Sequence, residues 1–224
     1  MKYILFILLM ISSLCYGQMT IESARTEARK YKLGSYSYHE DFIGHAGYGA
    51  PLILTADGGA SFYGDTGDST GSYGQMVKLD KTGIEEWKQI IRPQFDEMES
   101  QSVAEDTKGN FYLFMLSYDS KRYRGGSERV ICLDKSGKIL WDKTIGEYTL
   151  TRNPVVSYIR SLKDGRIYLR GHIVPEEPVK GKDPEYRFWE GWIDSQGKMT
   201  QKTGDVINWS DKKWETLFKP ESGK

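Results

Sequence analysis

The feature that most constrains this chain is a segment that it writes more than once. Val77-Lys78-Leu79-Asp80-Lys81-Thr82-Gly83-Ile84-Glu85-Glu86-Trp87 returns as Val130-Ile131-Cys132-Leu133-Asp134-Lys135-Ser136-Gly137-Lys138-Ile139-Leu140-Trp141. A weaker copy reads Gly191-Trp192-Ile193-Asp194-Ser195-Gln196-Gly197-Lys198-Met199. The three aspartates lie 54 and 60 residues apart. A period of that length in a strand-rich sequence marks one supersecondary unit repeated along the chain.

Each copy predicts four strands. Leu52-Ile53-Leu54-Thr55 meets Ala60-Ser61-Phe62-Tyr63 across Asp57-Gly58-Gly59, a turn whose glycine tolerates positive φ. Lys108-Gly109-Asn110 and Lys163-Asp164-Gly165 take the same place in the second and third copies. The third and fourth strands flank the repeated segment, where Asp80, Asp134 or Asp194 opens a turn and Gly83, Gly137 or Gly197 completes it as a bulge residue. Gln201 stands where spacing puts the counterpart of Trp87 and Trp141, which leaves the outer strand of the last copy in question. Upstream, Tyr36 to Ile43 alternates like the last strand of a unit whose earlier strands are missing.

Thr55-Ala56-Asp57-Gly58-Gly59, then Ser72-Tyr73-Gly74-Gln75-Met76-Val77-Lys78-Leu79-Asp80, Gly83 and Trp87 resemble the secreted β-propeller repeats of exported bacterial proteins, similar to PQQ-like and kelch-like blades. The resemblance covers roughly residues 35–205 and implies an all-β fold, an incomplete β-propeller of about three four-stranded blades with short terminal helices. It implies little about activity, because propellers host both enzymes and binding modules. Three blades are fewer than a closed ring needs, so three arrangements follow: an open arc capped at both ends, a degenerate blade in the termini, or a homodimer completing a six-blade ring. The capped arc is favoured, since open sheet edges need covering. One cover is a helix capped by Thr20 and running to about Leu33, with Ile21, Ala24, Ala28 and Tyr31 at helical spacing and Gly34 as its stop. The other is Ser210 to Phe218, where Ser210 caps and Trp214, Leu217 and Phe218 share one face.

The organisation expected is a signal peptide at 1–17, an N-terminal helical segment at 18–34, a repeat domain at 35–209 and a C-terminal helix and tail at 210–224. Met1-Lys2, the apolar run from Tyr3 to Met10 and small residues before Gln18 have the order of a secretory signal. That run is too short to cross a bilayer, which takes roughly 20 apolar residues. An exported protein, periplasmic or extracellular, is expected. A lipoprotein acylated at Cys15 is the alternative, and Leu14 fits its cleavage site poorly. Without Cys15 no intramolecular disulfide can form, and Cys132, inside an apolar strand, reads as a small buried hydrophobe. With 31 basic and 31 acidic residues the chain has no global pull toward nucleic acid.

Chain direction reverses at every strand, so the stereotyped Asp-Gly turns share one side of the blades. The connections from second to third strand, and from blade to blade, share the other. These vary between copies and form the candidate binding face: residues 64–74, 95–100, 117–127, 147–153 and 174–187. Arg122, Tyr123 and Arg124, with Tyr186 and Arg187, mix arginine with aromatics, types enriched at interfaces and able to stack on sugars. The structural alternative is that Phe188 and Trp189 begin a strand and pack inside. Asp96, Glu97 and Glu99 could supply a glycosidase pair, which needs carboxyls roughly 5 to 9 Å apart. Asp65 and Asp68 could hold calcium but lack the loop pattern for it. Among His39, His45 and His172, His45 joins the candidate face because it lies in an inter-blade connection, and none has a paired ligand motif. No nucleophile elbow, phosphate loop or zinc spacing appears, so no catalytic residue, metal or cofactor is expected. Asn208-Trp209-Ser210 fits a glycosylation sequon. The chain therefore reads as an exported non-catalytic module that binds a protein or glycan, with no nucleic-acid partner and no transmembrane span. The alternatives are a small carboxylate-dependent periplasmic hydrolase and a structural component of an envelope assembly.

Overall fold

The computed structural model describes residues 18–31, 52–68, 71–93, 97–118, 126–148, 153–174 and 185–208. Residues 1–17, where a signal peptide was expected, Tyr36 to Ile43 and residues 209–224 lie outside them, as do all three histidines except for the backbone of His172. Among the described residues twelve strands form three antiparallel sheets, each a meander in which consecutive strands pair. Blade 1 comprises β1 (Leu52–Leu54), β2 (Ala60–Asp68), β3 (Gly71–Leu79) and β4 (Glu85–Ile91). Blade 2 comprises β5 (Glu97–Glu105), β6 (Phe111–Tyr118), β7 (Gly126–Leu133) and β8 (Ile139–Tyr148). Blade 3 comprises β9 (Asn153–Ser161), β10 (Ile167–Val174), β11 (Glu185–Ile193) and β12 (Met199–Asn208). The chain is an all-β, incomplete propeller.

Alternation along the strands gives every blade two packing faces. Between blades 1 and 2, Tyr63 and Met76 meet Phe111, Leu113, Met115, Ile131 and Leu133. Between blades 2 and 3, Tyr112, Phe114, Val130 and Cys132 meet Ile159, Ile167, Leu169, Trp189 and Ile193. Cys132 is fully buried, and burial pushes its thiol up to about 12, so at neutral pH it is an inert apolar filler. Among the described residues no blade packs on the outer face of blade 1. Helix α1 (Ile21–Arg29) covers it instead, seating Ala24 and Ala28 on Ala60, Phe62, Val77 and Leu79.

Thr20 is the N-cap of α1, and its hydroxyl accepts the Ser23 N–H at 3.1 Å while the Ser23 hydroxyl accepts the Thr20 N–H at 2.9 Å. The helix stops at Arg29, short of Leu33. Its end tightens into i→i−3 bonds from the N–H groups of Lys30 and Tyr31, which brings the Tyr31 ring edge-on to Phe62 at 5.1 Å. Met19 N–H donates to the Gly58 carbonyl at one turn, and Tyr31 donates to Glu85 beside another, so α1 crosses the whole sheet. The alanines suit this close approach, because large blade 1 side chains already fill the contact.

The six turns that join first to second and third to fourth strands are built alike. Gly58, Gly83, Gly109, Gly137, Gly165 and Gly197 lie at φ between 73° and 88°, the left-handed region. Each donates its N–H to the carbonyl three residues earlier. Past the second turn of blades 1 and 2, a bulge follows (at Lys78/Leu79 and Cys132/Leu133) that turns Trp87 and Trp141 toward the next blade. The indole N–H of Trp87 donates to the Lys135 carbonyl at 2.9 Å, and that of Trp141 to the Ser195 carbonyl at 3.1 Å. Each tryptophan thus clasps the corresponding turn of the following blade. Blade 3 has no bulge there, so Thr200 pairs with Trp192 and Gln201 with Gly191. The outer strand forms all the same. The sequence spacing misassigned the tryptophan's counterpart by one residue, because it could not register a missing bulge.

A Cβ on Gly137 would lie 2.7 Å from the Trp87 ring, whereas one on Gly165 would meet only Thr107 Oγ1 at 4.0 Å. Both glycines share the same φ, so alanine strains either turn by about 1–2 kcal/mol. Gly137→Ala is expected to lose clearly more than Gly165→Ala, because only it also displaces the clasp. Equal losses in chemical denaturation would show that Trp87 contributes nothing to blade docking.

Candidate functional site

The two sides of the blades differ in chemistry. On the turn side the carboxylates are occupied by their own loops. Asp80 Oδ1 accepts the N–H groups of Thr82 and Ile84 at 2.7 and 3.0 Å and the Thr82 hydroxyl at 2.7 Å. Asp134 does the same with Ser136 and Lys138, and Asp194 with Gln196 and Lys198. Those hydrogen bonds hold all three carboxyls below their ordinary value, led by the hydroxyls of Thr82 and Ser136 and by the Lys198 N–H. Asp106 is buried, accepting from two backbone N–H groups, the Asn110 amide and the Tyr112 hydroxyl.

One cluster on this side has the composition of a catalytic group. The Lys78 ammonium, its side chain 3 % exposed, lies 2.8 Å from Asp57, 2.9 Å from Glu86 and 2.9 Å from the Leu79 carbonyl. Burial lowers its affinity for the proton, but the bonds to Asp57 and Glu86 outweigh burial and raise it. A lysine held protonated is no nucleophile. With its donors taken by acceptors at good distance, Lys78 is a structural tie that fastens the inner turn to β3 and β4. Gly59 makes room for it, since a Cβ there would fall 2.1 Å from the Leu79 carbonyl oxygen. Among the described residues no group of three or more His, Cys, Asp or Glu is placed to hold a metal.

The opposite side carries the connections between second and third strands and between blades. Several of these are shorter than expected. β2 and β3 pair out to Asp68 and Gly71, so residues 64–74 are a strand hairpin and not an open loop. β6 and β7 pair out to Tyr118 and Gly126. Glu97 pairs with Tyr118 inside β5, Tyr186 with Ile207, and Arg187 with Val206 and Ile173 inside β11, so these three are strand residues where loops were expected. They lie at the long-connection ends of their strands, Glu97 in blade 2 and the others in blade 3. Trp189 begins to pack inside, as the structural alternative required, and is 1 % exposed. His45, Asp96, Arg122, Tyr123 and Arg124 lie outside the described residues.

A set that spacing did not reveal stands at the seam of blades 1 and 2 on this side. The Arg129 guanidinium forms a two-pronged ion pair with Asp142, Nε at 3.1 Å from Oδ1 and Nη2 on Oδ2. Its remaining Nη1 donates to the Arg92 carbonyl at 3.0 Å, which pins the end of β4. Arg92 in turn is exposed and lays its guanidinium over the Tyr73 ring at 4.9 Å. Beneath them Tyr63 is fully buried, and burial, joined by the field of Asp65, raises its phenol well above the ordinary value. Tyr73 and Arg92 are 19 residues apart and meet because Gly74 pairs with Ile91. Strand register was the signal that could have found them.

Fold and site together define an incomplete propeller of three described blades, with aspartates bonded to their own turns on one side and the Arg92–Tyr73 pair on the other. No family model matches the chain, and no curated protein matches it. Among solved structures it is similar to the subtype N11 neuraminidase-like protein of a flat-faced bat isolate (H18N11), at 18% identity and a TM-score of 0.43, covering 68% of this chain and 40% of that one. It is also similar to cobalt-substituted Synechocystis ACO and to an ACO/RPE65 chimera, each at 12% identity and a TM-score of 0.39, covering 70% of this chain and 40% of theirs. The chain thus spans about two fifths of the length of these structures. Among the described residues no helix is long and apolar enough to cross a membrane.

Proposed function

We propose that the chain is an exported propeller arc with PQQ-like or kelch-like blades that acts without catalysis, holding a protein or glycan on its long-connection side. The observation that carries this reading is the asymmetry of the two sides. Of the turn-side carboxylates, Asp80, Asp134 and Asp194 are bonded to their own loops, and Asp57 and Glu86 to Lys78. On the other side an exposed Arg92 stacked on Tyr73 offers a flat, pre-ordered surface of the type enriched at binding hot spots. Arg122, Tyr123, Arg124, Tyr186 and Arg187 belong to the connections and strand ends of that same side, and we assign them to the same surface, together with Asp96, Glu97 and His45.

The test is binding of the mature chain to a glycan array and to proteins of the cell envelope. Arg122→Ala/Tyr123→Ala and Tyr73→Ala/Arg92→Ala are expected to weaken binding about tenfold or more, which corresponds to about 1.4 kcal/mol. Lys81→Ala/Lys135→Ala on the turn side should leave it unchanged. Loss with the turn-side variant and retention with the other two would overturn the assignment.

A further inference from the structure

The outer face of blade 3 differs from its counterparts. Register aligns Ser61, Tyr112 and Tyr168 in the second strands, and Lys78, Cys132 and Trp192 each precede a turn aspartate by two residues. In blades 1 and 2 these positions are buried against the next blade. Tyr168 and Trp192 are only partly buried, belong to neither inter-blade core, and lie 5.8 Å apart. Around them the apolar positions of the earlier blades have become charged. Arg170 replaces Tyr63 and Phe114, Glu190 replaces Met76 and Val130, and Arg160 replaces Ile53 and Ala104. Arg160 lies over the Tyr168 ring at 5.4 Å, and the Tyr168 hydroxyl donates to Glu190 at 2.6 Å. A terminal repeat with a more polar outer face is how repeat arrays end. This face still carries two aromatic rings that a fully solvated surface would not favour.

We propose that this face is covered by the chain's own residues 209–224, as α1 covers the outer face of blade 1. β12 is the outermost strand of blade 3 and runs from the turn side to the opposite side, so the chain leaves it at the edge of this face. The sixteen residues 209–224 follow it, more than the nine with which α1 crosses blade 1. As a helix even ten of them reach about 15 Å, the width of four strands. In sequence Ser210 is of the N-cap type, and Trp214, Leu217 and Phe218 have the spacing of one helical face. Asp211 and Glu215, one turn apart, bring carboxylates to a face that holds Arg160 and Arg170. The arc is then closed at both ends by segments of one chain. A second copy that joined head to tail to complete a ring would have to displace α1 from the first blade.

The test uses the full mature chain with a benzophenone amino acid at Arg160 or at Thr200, both exposed, and at Ile84 as a control on the first blade's turn. Ordinary and nitrogen-15 chains are mixed before irradiation, so that linkage within a chain is told from linkage between chains. Cross-links within one chain from 160 and 200 to 209–224, absent from 84, are expected. Cross-links only between chains, or none to 209–224, overturn the proposal. As a second measurement, Leu217→Asp/Phe218→Asp should abolish those links and lower the melting temperature by several degrees. Unchanged links and melting temperature would equally overturn it. Neither result depends on ligand binding at the opposite side.

Discussion

Replacing Asp57 and Glu86 together by alanine is expected to cost about 3–5 kcal/mol, more than Lys78→Met, although both remove the same ion pairs. The inequality follows from where each charge is left. The Lys78 side chain is 3 % exposed, while those of Asp57 and Glu86 are 55 % and 44 % exposed. Without its partners the ammonium stays buried with only the Leu79 carbonyl to meet it. Without the lysine, Glu86 turns to water, Asp57 keeps the Thr55 hydroxyl and the Gly59 N–H, and a methionine fills the vacated stem. Chemical denaturation of the two variants decides the matter. A larger loss for Lys78→Met would show that the buried amine is not a desolvated charge.

The same tie has a pH signature. Burial pushes the Asp57 carboxyl up, but hydrogen bonds from Lys78, Thr55 and the Gly59 N–H outweigh it and hold the group below its ordinary value. Its contribution is therefore complete above the unfolded value, about 3.9, and fades as pH falls through the lowered folded value. Lys78 is raised, so its contribution is complete below about 10.4 and fades as pH rises through the folded value. Between roughly pH 5 and 9 the tie should give a flat stability profile, and the Lys78→Met variant should lose its fall at the alkaline end and keep part of that at the acid end, where Thr55 and the Gly59 N–H still hold Asp57.

Trp189→Ala is expected to lose about 3–5 kcal/mol, whereas Trp189→Phe should lose about a third of that or less. Trp189 is among the largest fully buried side chains and fills the seam between blades 2 and 3. Among the described residues its indole N–H meets no acceptor, so phenylalanine removes an unpaired polar group along with some volume. The two effects oppose each other, and the aromatic packing is largely kept. Melting curves of both variants provide the check. Near-equal losses would mean that the indole N–H is bonded in solution.

Much of the scaffold was legible because hairpins are local. Asp80 and Gly83 sit within one turn, so the residues that require the turn also announce it. The helix start at Thr20 was legible for the same reason, and its end was not, because Tyr31 leaves the helix to reach Phe62, a contact across blade 1. Loop lengths on the long-connection side were overestimated where glycine and polar residues dominate. Residues 64–74 look like a loop by composition, yet the register of Phe62 with Val77 carries the pairing on through them.

By itself the sequence determined that this protein is a strand repeat of three units, with Asp-Gly turns on one side and variable connections on the other. Those properties depend on period, turn chemistry and chain reversal, all of which act over a few residues. Tertiary structure alone decided that Trp87 and Trp141 clasp the next blade and that α1 seats Ala24 and Ala28 on Phe62 and Val77. It also decided that Lys78 is a buried tie and that Tyr73 meets Arg92 beside the Arg129–Asp142 pair. Each of these joins residues on different strands or different blades. Their meeting depends on register and on bulges, which a one-residue slip reverses and which no local pattern encodes.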